Sequence, residues 1–202
     1  LTELYSSSEG AVKLVIRGNE WLAHPGSVGK PRGGDAIKIL DDDGYEVASG
    51  TIGNVYMRSS GERDFEYRGA ERVDTRDGFT TVGDMGHVDA DGYLYLADRR
   101  SDLILRGGAN VFPAEVEAAL EAHPAVRSVA VIGLPDDDLG KRVHALVDAP
   151  NGVKESELRE FLAGRLIAYK CPESYEFVDG PVRDDAGKVR RTALAKERAG
   201  ND

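Results

Sequence analysis

The sequence predicts an α+β chain in two parts: a β-rich first half that reads as a small antiparallel barrel, and a second half mixing helices with strands. Three observations carry this reading. Up to about residue 98, short β-branched and aromatic runs alternate with Gly-centred turns. Beyond it, apolar residues begin to recur at helical spacing. The length, 202 residues, suffices for one or two domains that fold without covalent staples.

In the first half, the runs at 12–16, 36–40, 52–57 and 93–96 read as strands. Asp43-Gly44, Asp77-Gly78 and Asp91-Gly92 fall between such runs, and Asp-Gly tolerates the positive φ of tight turns. No long amphipathic helix is expected there. In the second half, Phe112-Pro113 opens a helix, because Pro suits the first helical position and Glu115 and Glu117 favour its positive end. Val116, Ala119 and Leu120 share one face, and His123-Pro124 ends the helix. The runs SVAVIGL at 128–134 and RVHALVD at 142–148 read as strands. A second helix is expected over 156–168, with Leu158, Phe161, Leu162 and Leu166 on its core stripe. A strand at 174–178 follows, and residues 188–198 read as a solvated helix end. Helix, strand, strand, helix, strand is the order of a small α+β sandwich. The junction is placed at 98–102.

Lys and Arg number 26 against 36 Asp and Glu, a net charge of −10. That balance excludes a nucleic-acid footprint and an anionic-lipid surface, both of which need basic excess. No apolar run reaches the roughly 20 residues of a membrane-spanning helix. The single cysteine, Cys171, rules out an internal disulfide framework and makes a reducing cytoplasm the expected compartment. His24, His87, His123 and His144 are scattered without metal-ligand spacing, and His24 and His123 precede prolines, as turn residues do. No nucleophile elbow, dinucleotide fingerprint or Walker loop is present.

Four stretches carry chemistry, each with an ordinary alternative. Tyr5-Ser6-Ser7-Ser8-Glu9 sets hydroxyls and a carboxylate behind an aromatic ring, which suits phosphates and Mg²⁺ or a polar turn. Gly83-Asp84-Met85-Gly86 holds a carboxylate between glycines, as an acceptor for two ribose hydroxyls or as a turn residue. Arg99-Arg100-Ser101-Asp102 leads to Gly107-Gly108-Ala109-Asn110, where adjacent glycines admit a ligand to the backbone or make a turn. Gly187-Lys188 delivers a cation to an anionic centre or leaves it in solvent.

These stretches occur in the order and spacing of one family. Leu4-Tyr5-Ser6-Ser7-Ser8-Glu9-Gly10, Gly83-Asp84-Met85-Gly86 and Asp91-Gly92-Tyr93 are followed by Asp98-Arg99-Arg100-Ser101-Asp102-Leu103-Ile104. Then come Gly107 to Glu117 (GGANVFPAEVE), Tyr169-Lys170-Cys171-Pro172 and Gly187-Lys188. The chain thereby resembles the C-terminal portion of an AMP-forming acyl-CoA synthetase of the adenylate-forming, luciferase-like superfamily. The resemblance implies that 1–98 end a large N-terminal adenylation domain, 99–102 form a hinge at Ser101, and 103–202 form a small mobile domain. It implies ATP, Mg²⁺ and CoA as cofactors and a small carboxylic acid as substrate. Tyr5 would stack on adenine, Ser8 contact phosphates, Glu9 hold Mg²⁺, Asp84 bind ribose with support from Arg99, and Lys188 reach the α-phosphate. Gly107, Gly108 and Asn110 would line the path of the CoA arm.

The sequence departs from the family at Ser101, where Asp or Lys is usual, and at Ser6 and Ser8, where Gly and Thr are usual. Asp184 and Asp185 replace uncharged residues and are expected to hold Lys188 in an ion pair when it is idle. The family's phosphate loop and acyl pocket are expected upstream of Tyr5, so these residues alone are expected to be inactive and to need the N-terminal part of their own enzyme. A carrier-protein-loading adenylation domain and a non-catalytic binding module that keeps the fold remain alternatives. A homo-oligomer is compatible with the sequence.

Overall fold

The computed structural model describes residues 1–6, 12–61, 75–185 and 187–199. Contacts divide the chain into Leu1–Arg100 and Ser101–Asp202, and the two units are built on different plans.

In the first unit, β1 (Thr2–Ser6) and β2 (Lys13–Arg17) form an antiparallel ladder with Tyr5 opposite Leu14. β2 buries Leu14 and Ile16 and exposes Lys13 and Arg17, the alternation of a half-buried strand. A short helix α1 (Gly18–Ala23) follows, and its Glu20 carboxylate accepts the Arg17 N–H at 2.9 Å. Next come β3 (Ala36–Leu40), β4 (Gly53–Arg58), β5 (Thr75–Arg76), β6 (Phe79–Val88) and β7 (Leu94–Arg99). β6 is the hub of this sheet, pairing antiparallel with β4, β5 and β7. Val12, Leu14, Ile39, Val55, Met57 and Leu94 form the core. Among the described residues the ladders do not close into a ring, so the expected barrel is realised as an open antiparallel sheet.

Three strands here differ from the sequence reading. β1 and β5 were not expected, and Gly83-Asp84-Met85-Gly86 lies inside β6, not in a turn. Glycine is needed at 86 because β7 passes so closely: a Cβ there would lie 2.3 Å from the Tyr95 carbonyl oxygen.

In the second unit, β8 (Ile104–Arg106) and β9 (Ala109–Val111) make a hairpin that leads into α2 (Pro113–Glu121). β10 (Ser128–Asp136), β11 (Gly140–Asp148), α3 (Glu155–Ala163), β12 (Ser174–Phe177) and α4 (Arg191–Arg198) complete it. β10 and β11 pair antiparallel, and β12 joins β11 in parallel. Val129, Val131, Val143, Ala145 and Val147 pack against Val116 and Leu120 of α2 and Leu158 and Leu162 of α3. Ala130, Ile132, Leu134 and Leu146 point the other way, against Val182, Val189 and Leu194. Burial on both faces is why 128–134 reads as a continuous apolar run. α3 stops before the predicted residue 168, with Gly164 at its C-cap.

Candidate functional site

Chemistry-bearing residues gather at one place in each unit. In the first, the β6–β7 register sets Asp84 opposite Arg99, with a bulge immediately after, between Met85 and Gly86. Such an irregularity re-aims side chains at a strand's end. Gly83 precedes the carboxylate with φ +82°, a conformation open to glycine, and its N–H bonds the Thr81 hydroxyl at 3.1 Å. From β1, the Tyr5 hydroxyl donates to Asp84 Oδ2. The Tyr5 ring itself packs against the apolar core. Arg99 Nε stands 3.8 Å from Asp84 Oδ1 and is largely exposed, so this exposed pair adds little stability. An aromatic ring, a carboxylate with two acceptor oxygens and an exposed guanidinium are thus brought together from three strands. A flat base, a cis-diol and a phosphate are the groups they suit.

Ser8 and Glu9 lie outside the described residues.

In the second unit, Val182 and Val189 pack onto the sheet, and in the turn between them Asp184, Asp185, Gly187 and Lys188 are exposed. Within that turn the Gly187 N–H bonds the Asp184 carbonyl at 2.7 Å, and the Asp184 N–H bonds the Lys188 carbonyl at 3.0 Å. Gly187 adopts φ +74° to close it. Asp184 Oδ1 accepts the Lys188 backbone N–H at 2.9 Å. The expected ion pair with Asp184 or Asp185 is therefore replaced by a backbone contact, and among the described residues the Lys188 ammonium has no carboxylate partner. A short Asx-type bond satisfies the turn better than a salt bridge reaching back across it. The result is an exposed cation on a shaped loop.

The β8–β9 turn places Gly107 and Gly108 at φ +56° and +83°, the double positive φ of a two-residue hairpin. The Gly107 N–H bonds the Leu139 carbonyl at 2.8 Å. Gly108 has open space where a Cβ would stand, and Asn110 is exposed. These glycines make a turn, and at Gly108 its tip is open. Ser101 sits in a 3₁₀ turn, Arg100–Asp102. Arg100 Nη1 contacts Asp42 Oδ1 at 2.6 Å and Asn54 Oδ1 at 2.8 Å, and its guanidinium holds the Asp42 carboxyl below the usual carboxylate range. On the other side, Asp102 Oδ2 accepts from Arg191 Nη1 at 2.8 Å. Partial burial pushes the pKa of the Cys171 thiol up.

One cluster escaped the sequence reading. His24 Nδ1 lies 2.8 Å from Asp89 Oδ2, its ring stacks on Tyr93 at 3.7 Å, and Asp91 approaches within 4.0 Å. Asp89 also accepts the Tyr95 hydroxyl and the N–H groups of Asp91 and Tyr93. Its burial raises its pKa, but these bonds overcome that and leave it lowered. A carboxylate so fully engaged is a turn lock. The separation of residues 24 and 89 in sequence hid it.

The family described as AMP-binding enzyme C-terminal domain matches residues 115–188. The 2-succinylbenzoate–CoA ligase of Bacillus licheniformis is 40% identical over 197 residues, 96% of this chain and 41% of that protein. A fatty acid–[acyl-carrier-protein] ligase of Streptomyces coeruleorubidus is 40% identical over 173 residues, 83% of this chain and 33% of that one. Among solved structures, the o-succinylbenzoate CoA synthetase of Bacillus subtilis, bound to its acyl-adenylate intermediate, superposes with a TM-score of 0.82 at 32% identity. It covers 96% of this chain and 40% of its own. The same enzyme has been solved with ATP and magnesium. The chain therefore spans well under half the length of the relatives it matches.

Proposed function

Given that the chain belongs to the adenylate-forming enzymes and carries their AMP-binding C-terminal domain, we propose that it serves an AMP-forming acyl-CoA synthetase. The substrate carboxylate attacks the α-phosphorus of ATP, the bond to the leaving pyrophosphate breaks, and acyl-AMP forms. The thiol of CoA then attacks the acyl carbonyl, the bond to AMP breaks, and the thiol proton passes to solvent. Two anions meet in the first step, so a placed cation lowers its barrier. Lys188 supplies it. Asp84 receives the ribose hydroxyls, Tyr5 lies against adenine, and Arg99 supports the nucleotide. Ser8 and Glu9, outside the described residues, are assigned to phosphates and to the magnesium that accompanies ATP.

The second step asks for a different set of residues. Gly107, Gly108 and Asn110 line the approach of the slender CoA arm. Ser101 is the hinge between the two steps, and the anchoring of its neighbours supports this. Arg100 is tied to Asp42 and Asn54, and Asp102 to Arg191, which leaves Ser101, whose hydroxyl bonds its neighbour Asp102 at 3.2 Å, as the residue between two anchored positions.

The observation that carries this reading is the meeting of Tyr5, Asp84 and Arg99 from separate strands. The test uses the whole protein containing this chain, with ATP, CoA and a panel of 2-succinylbenzoate, indoleacetate and a long-chain fatty acid. Formation of AMP and an acyl-CoA thioester is expected, with Lys188→Ala slowing acyl-adenylate formation severely but to a rate that is still measurable. The 40% relative that acts on acyl-carrier protein favours one second reading. Thioester found only on a carrier protein would select it. Undiminished adenylation in Lys188→Ala would overturn the role given to Lys188, and no AMP formed with any acid, on CoA or on a carrier protein, would overturn both.

A further inference from the structure

Glu117 was read from sequence as a charge favouring the start of a helix, but the fold uses it otherwise. Its carboxylate is almost wholly buried, at 3% exposure. Oε1 accepts the Val131 N–H at 2.9 Å, which ties α2 to β10. Oε2 accepts Arg183 Nη2 at 2.9 Å and Arg191 Nη2 at 2.8 Å. Arg191 also reaches Oε1 through Nε at 3.2 Å and Nη2 at 2.9 Å. One buried carboxylate thus grips both ends of the segment that carries Lys188. Arg183 continues the contact inward, its Nη1 approaching the Gly187 carbonyl at 3.4 Å. Arg191 continues it outward, to Asp102 beside Ser101.

We propose that Glu117 is a positioning residue, a buried clamp that sets the Lys188 loop for adenylation. The inference rests on the role given above to Lys188. A buried ion pair is a poor source of net stability, because desolvation offsets its attraction, but it fixes the directions of the groups it binds. Those directions matter here. Apart from this clamp, the loop is held by backbone bonds within the turn, by the Asp184 carboxylate and by two valines that grip without orientation. A displacement of about 1 Å at a charged reacting group costs on the order of 10²-fold in rate.

The experiment compares Glu117→Gln with the parent whole protein in each half-reaction, using whichever acid of the panel turns over. Acyl-adenylate formation should fall by about 10²-fold, while thioester formation from supplied acyl-adenylate should hold. In a Lys188→Ala background Glu117→Gln should cost nothing further, since groups acting as a unit are not additive. Equal loss in both half-reactions, or multiplied losses with Lys188→Ala, would show a structural role and overturn the proposal. Arg183→Gln, at a more exposed position, repeats the test with less risk to folding. A separate arm reads amide exchange at 184–188, which should quicken by about an order of magnitude in Glu117→Gln. If the parent adenylates no acid, the assigned function fails and this arm alone decides the clamp. Unchanged exchange would overturn it.

Discussion

The two units solve opposite problems with opposite means. The first holds a fixed carboxylate: Asp84 stands in a strand ladder, paired across to Arg99 and capped by Tyr5. The second presents a cation on an exposed turn and braces it from beneath through a buried carboxylate. Their cores differ accordingly. The second unit's sheet is packed on both faces. The first unit leaves Leu1, Leu4, Trp21 and Leu22 exposed, beside a groove of about 440 Å³ lined by Leu1, Glu3, Ile16, Gly18, Trp21 and Leu22. A site that stays put needs only backbone pairing. One delivered on a loop needs a rigid bed behind it.

The sharpest test of that contrast is core truncation. Leu120 is fully buried between α2 and the sheet, so Leu120→Ala should cost about 2–5 kcal/mol. Leu4, largely exposed on β1, should tolerate alanine within about 0.5 kcal/mol. Denaturant unfolding of the two variants measures both. Equal losses would show that the apolar face of the first unit is covered in solution.

Two glycines give a smaller and more local contrast. Gly86→Ala drives a methyl into the Tyr95 carbonyl, so β7 must move, at about 1–3 kcal/mol or more. Asp84 sits in the same stretch of β6, so nucleotide affinity should fall with stability. Gly108→Ala meets no atom within 4 Å and carries only the penalty of positive φ, about 1–2 kcal/mol. Thermal unfolding and ATP titration of both variants separate steric displacement from backbone strain. A milder effect at Gly86 than at Gly108 would mean that β7 yields without cost.

Legibility in the sequence followed the range of the forces involved. α2, β10, β11 and β12 were readable because periodicity and local caps fix them. β6 was not, because its glycines look like punctuation, and the reason for Gly86 lies in a carbonyl on another strand. Tyr5, Asp84, Arg99 and Lys188 were proposed as site residues through family motifs, since spacing by itself does not say that residues 5 and 84 touch. Glu117 was noticed for the wrong reason. A glutamate near the start of a helix is ordinary, and only the arrival of Arg183 and Arg191 makes it a hub. The Lys188–Asp184 relation was misjudged in kind: the carboxylate serves the turn and leaves the ammonium alone.

The smallest expected effect is one of pH, and it again separates the units. His144 lies buried in β11, with Nδ1 at 2.8 Å from the Ser174 hydroxyl. Burial lowers its pKa from 6.5, outweighing the pull of Glu176 in the other direction. With the folded value below the unfolded one, the unfolded chain takes up a proton first as pH falls past about 6.5. The contribution of His144 is therefore complete above that pH and declines below it. Glu176, lowered from 4.5 by its bond to Arg198, adds a second loss only at more acid pH. In the first unit the lowered groups are carboxylates, Asp42 held down by Arg100 and Asp89 by the bonds that overcome its burial. Between pH 6.5 and 5, amide exchange should quicken in β10 and β11 and stay level in β4 and β6. His144→Asn should remove that difference. If the second unit keeps its acid sensitivity in the variant, the titration belongs to another group and the contrast between the units does not extend to pH.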